Sequence, residues 1–117
     1  MEKYVIKDNF HWVDLYVYIG SIIEFDVIAE KNKLVVELEQ RQADWLCYYD
    51  ANIIWIARKD VWVFMHEIMH FILKQAEYLG YEIEWGWEYH CYANQFYYDE
   101  FKKIVRKKWQ LTKDIIL

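Results

Sequence analysis

At 117 residues the chain is long enough for one hydrophobic core and too short for two. Hydrophobic residues make up 56% and aromatic residues 21%, which excludes an intrinsically disordered chain. A net charge of −5 argues against nucleic acid as the main partner, because phosphate binding needs a cationic face.

No stretch without charges approaches the length of a membrane span. The opening residues, MEKYVIKDNF, lack the basic-then-apolar layout of a secretion signal. These readings predict a cytoplasmic protein with no membrane partner, its Cys47 and Cys91 being reduced thiols.

The first half reads as strands. In WVDLYVYI (12–19), Val13, Leu15, Val17 and Ile19 alternate with Asp14, Tyr16 and Tyr18, a period of two. IIEFDVIA and KLVVELE flank the polar EKNK and read as a hairpin. WLCYY and NIIWIA flank Asp50 and Ala51 and read as a second hairpin ending near Ala57.

From Asp60, a good N-cap, the period becomes helical through about Leu79, where Gly80 supplies a stop. YEIEWGW follows as a connection or short edge strand, and a second helix is predicted from about Trp87 to Trp109. Its basic run, KKIVRKKW at 102–109, reads as a solvated face balancing the acidic remainder. The expected architecture is one α+β domain over 1–117, a mostly antiparallel sheet with both helices on one face.

On a helical wheel, residues 60–79 place Phe64, Ile68, Phe71 and Ile72 in a broad apolar arc. His66, Glu67, His70, Lys74 and Glu77 share the narrower remainder. The FMHEIMHF stretch therefore sets His66 and His70 one turn apart on one face. Two imidazoles so spaced can share one Zn²⁺, and Glu67 beside them is placed to act as general base.

A catalytic zinc normally has three protein ligands. Glu82, Glu84, Glu88, His90, Cys91 and His11 are the available groups. On the second helix His90 shares a stripe with Ala93, Asn94, Tyr97, Phe101, Ile104 and Val105, so it points inward. Glu88 falls on the opposite side and Cys91 is turned about 100° from His90, which makes Cys91 the second choice.

HEIMH followed some twenty residues later by EYHCYANQF resembles the ImmA/IrrE family of small zinc metallopeptidases. That family carries an E-x-x-A-N-x-F-like signature on the helix after the active one. Ala93, Asn94 and Phe96 match its A-N-x-F part, and the family's ligand glutamate falls on His90. Three-histidine zinc sites occur in related zincins such as the SprT-like proteins.

The resemblance spans roughly 53–98. It implies a sheet edge beside the active helix, a peptidase mechanism, an intracellular protein substrate and a setting in bacteria, phage or other mobile elements. His66, His70 and His90 would hold Zn²⁺, Glu67 would deprotonate the water, and Asn94 would orient a ligand. Tyr97 and Tyr98 are the candidate donors to the tetrahedral intermediate. The alternatives are a zinc-containing binding module without activity and a different metallohydrolase.

Overall fold

The computed structural model describes residues 1–9, 11–80 and 87–116, with the side chains of 87–88 and 107–116 excepted. In chain order it comprises β1 (Glu2–Asp8), β2 (Val13–Ile19), α1 (Ile22–Lys31), β3 (Trp45–Tyr48), β4 (Ile53–Ile56), α2 (Val61–Leu79) and α3 (Trp87–Ile116). The strands form one sheet in the order β1-β2-β4-β3. Two of its three pairings are antiparallel, β1 with β2 and β3 with β4. The central pair, β2 with β4, is parallel.

The period-two alternation in β2 divides the core into two layers. Leu15, Val17 and Ile19 join Ile54 and Ile56 of β4 under Phe64, Ile68, Phe71 and Ile72 of α2 and Tyr97 and Phe101 of α3. Tyr18, with Ile53 and Trp55 of β4, faces the other way onto Phe25 and Ala29 of α1. All four residues of β4 are buried because helices cover both of its faces. The mostly antiparallel sheet packed against α2 and a long C-terminal helix matches expectation. Helices on one face only does not.

The difference is α1. IIEFDVIA was expected as a strand, and it is a helix opened by a capping box in which Ser21 and Glu24 satisfy each other's backbone N–H. Ser-x-x-Glu ahead of an apolar run is a helix-start signal, and Phe25 and Ala29 are the buried positions one turn apart. KLVVELE is not a strand either. Its Leu34 N–H returns to the Ala29 carbonyl (2.8 Å), and Val35 and Leu38 are exposed. The second hairpin forms as expected.

Asp60 caps α2 by accepting from the N–H groups of Trp62 and Val63, and Gly80 ends it at φ +74°, a left-handed position that suits glycine. The expected edge strand or connection at YEIEWGW lies outside the described residues, and so do Glu82, Glu84 and Trp85. Cys47 and Cys91 are both free thiols, and among the described residues no helix is long and apolar enough to cross a membrane.

Candidate metal centre

On α2 the i, i+4 spacing brings the Nε2 atoms of His66 and His70 to 3.3 Å. Two nitrogens bound at ~2.0–2.1 Å to a tetrahedral zinc stand about 3.3–3.4 Å apart, so the pair has the edge length of a zinc tetrahedron. Both imidazoles are exposed. Glu67 is 3% exposed, and its Oε1 lies 4.0 Å from His66 Nε2. The ligand atoms of the three residues lie within 4.8 Å of one another. Glu67 accepts no hydrogen bond from a described residue. Burial therefore acts on it unopposed and pushes its carboxyl up to about 7.

The cluster opens on a groove of about 360 Å³ whose lining includes Glu67, His70, Trp45, Cys47 and Tyr49. Trp45 and Cys47 belong to β3, the edge strand of the sheet next to α2. The Trp45 ring also stands 6.0 Å from that of His66. Cys47 is an inert neighbour, since burial and then the charge of Glu67 push its thiol to about 12.

His90 is not part of this three-residue group. It sits in the first turn of α3, and its Nδ1 is buried with no hydrogen-bond partner among the described residues. An unpaired buried nitrogen costs about 1–3 kcal/mol. The chemistry of the donors brought together, two imidazoles at a tetrahedral edge beside a carboxyl, fits zinc better than a harder, oxygen-seeking cation.

The other sequence candidates have different tasks. Tyr97, proposed as a donor to the intermediate, is fully buried and donates its hydroxyl to Asp8 Oδ2. Burial and then that carboxylate raise its pKa. The Asn94 amide donates to the His90 carbonyl one turn back (2.8 Å). Asn94 and Tyr98 line a separate groove between α2 and α3. Cys91 is exposed, and the side chain of Glu88 lies outside the described residues.

Sequence reasoning also missed a second buried polar cluster. Asp8 ends β1 and accepts the backbone N–H of His11 (3.0 Å), which closes the turn into β2 and places Trp12 at φ +58°. The same carboxylate accepts from His11 Nδ1, and His11 Nε2 is hydrogen-bonded to the hydroxyl of Tyr89 on α3. Burial alone would raise the pKa of Asp8, but the His11 and Tyr97 hydrogen bonds outweigh it and hold the carboxyl below its usual 3.8. His11, weighed from sequence as an upstream ligand, is thus committed to tying α3 to the β1–β2 turn. Asp-x-x-His between two strands was the available signal.

The fold and this site define an α+β domain with a His-Glu-x-x-His cluster on a buried helix beside a sheet edge. No protein-family model matches the chain, and neither a curated protein nor a solved structure matches it.

Proposed function

We propose that this protein is a zinc-dependent peptidase acting on an intracellular protein. The observation that carries the reading is the 3.3 Å separation of His66 and His70 beside a buried, unbonded Glu67. His66 and His70 are two ligands, and His90, with its orphaned Nδ1, is assigned as the third. The ImmA/IrrE resemblance supports this reading through its motif residues alone, and it puts a ligand at the position of His90, where that family carries glutamate.

Zn²⁺ held by these residues would supply Lewis acidity to the attacking water and to the scissile carbonyl. Glu67 takes the proton of the attacking water and returns it to the departing amine. Burial raises this carboxyl in the metal-free chain, and a Zn²⁺ held beside it would favour the carboxylate form that accepts a proton. The outer edge of β3 offers main-chain N–H and C=O groups to an extended substrate, and the groove beside it receives side chains.

Elemental analysis of the purified chain and proteolysis by the Glu67→Gln variant test the proposal together. One zinc per chain, retained in the variant while peptide-bond cleavage is lost, is the expected result. A chain that takes up no transition metal overturns it. Zinc bound without any cleavage by the wild type would leave the binding-module alternative.

A further inference from the structure

The basic run at 102–106 has no part in the metal centre, yet it borders an apolar depression of the surface. Two adjoining hollows, of about 630 and 310 Å³, share Val61 and Tyr98 and together form a groove between α2 and α3. Its floor also includes Met65, Phe101 and Val105. Trp62 stands at one end, 81% exposed, and Tyr98 and Val105 remain 42% and 39% exposed. An apolar surface of this kind rimmed by charge marks an interaction site.

The rim gives the sign of the partner. Lys59, Lys102 and Arg106 line the groove against a single acid, Asp99. Lys59 stands 3.6 Å from Glu2. Lys102 stands 5.2 Å over the Tyr98 ring, and neither it nor Arg106 forms an ion pair with a described carboxylate. The chain as a whole carries −5, so this cationic strip is a local feature that draws an anionic partner to one face.

The walls give the partner's form. Two helices spend their main-chain groups internally, so the groove offers no edge to an extended peptide. A helix arrives with its own hydrogen bonds made and needs only side-chain contacts. Tyr98 to Val105 covers about 10 Å of α3, room for two turns and apolar anchors at i, i+3 or i+4 and i+7.

We propose that the α2–α3 groove docks an acidic amphipathic helix of a partner protein. Its apolar stripe lies on Val61, Tyr98 and Val105, and its carboxylates meet Lys102 and Arg106. The inference stands apart from the metal reading and draws on none of its residues.

The probes are two synthetic helical peptides of about 14 residues, near the shortest length at which isolated helices hold. They share one leucine stripe and differ in carrying Glu or Lys on the flanks. Calorimetric titration into the full chain should show the Glu peptide binding at least about tenfold more tightly, a 1.4 kcal/mol difference. Chelating metal with EDTA should change nothing. Lys102→Glu with Arg106→Glu, both at exposed positions, should reverse the preference, and Tyr98→Ala should weaken both peptides. Raising the salt concentration should weaken the Glu peptide alone, which supplies the same test without any variant.

Equal affinities, no binding of either peptide, or a preference untouched by charge reversal would overturn the proposal. Self-association of the chain abolished by Tyr98→Ala would also overturn it, by making a second copy the occupant.

Discussion

Two clusters of polar side chains are buried where α2 and α3 meet the sheet, and they are finished in opposite ways. Around Asp8, His11, Tyr89 and Tyr97, each carboxylate, imidazole and hydroxyl has a partner drawn from another element. In the His66–Glu67–His70 group the Glu67 carboxyl accepts no hydrogen bond from a described residue, and separately on α3 the Nδ1 of His90 has no partner among the described residues. The pKa shifts follow. Hydrogen bonds hold Asp8 below its usual value despite burial, whereas burial alone lifts Glu67. A satisfied cluster spends its interactions on the fold, whereas an unsatisfied one leaves them unmade.

Breaking the open cluster should change activity most. Glu67→Gln removes the proton acceptor and leaves both imidazoles, so turnover should fall by about 10²–10⁴ while zinc content and melting temperature stay near wild type. Peptide cleavage assayed alongside metal analysis checks this. A loss of zinc with the loss of turnover would make Glu67 part of the metal's own shell.

Breaking the satisfied cluster should change stability instead. Asp8→Ala strands His11 and Tyr97 in the core, and denaturant unfolding should show a loss of about 3–5 kcal/mol at neutral pH. The gap has a predictable pH dependence. The folded-state pKa of Asp8 lies below the unfolded value, so its ionic contribution is complete above 3.8 and fades as pH falls through the depressed value. The difference between wild type and variant should therefore narrow in acid. A gap that widens on acidification would mean that Asp8 is held neutral.

Tyr97→Phe removes one member of the same network while keeping the ring that packs on Phe71, and should cost about 1–2 kcal/mol with no effect on zinc. If that variant loses turnover at full stability, the hydroxyl serves catalysis after all.

The smallest expected change has the opposite sign. His90→Leu removes a buried nitrogen without a partner, so the metal-free protein should gain up to about 1 kcal/mol even as zinc affinity falls steeply. Unfolding with EDTA present, set against zinc titration, reads both. Unchanged zinc affinity would move the third ligand elsewhere, with Cys91 next in line.

Local periodicity and capping chemistry determined a great deal by themselves. Asp60 and Gly80 bracket α2, the i, i+4 spacing sets His66 against His70, and the alternation in β2 fixes which residues face α2 and α3. Each depends on atoms a turn or two apart, so the chain carries it without knowing its neighbours. The strand assignments for IIEFDVIA and KLVVELE failed because a short apolar run fits two periods, and the Ser21–Glu24 capping box was the local feature that could have separated them.

Only the tertiary structure decided the rest. A helical wheel cannot see that β3 and α2 together bury Glu67, nor that Tyr97 donates a hydrogen bond to Asp8, 89 positions away in the chain. Tyr97 and Tyr98 are both candidate donors in sequence, although the wheel already sets Tyr97 on the inward stripe with His90. One is sealed in the core on Asp8 and the other opens onto the α2–α3 groove, because successive helical residues differ by about 100° and the sheet covers only one of the two directions.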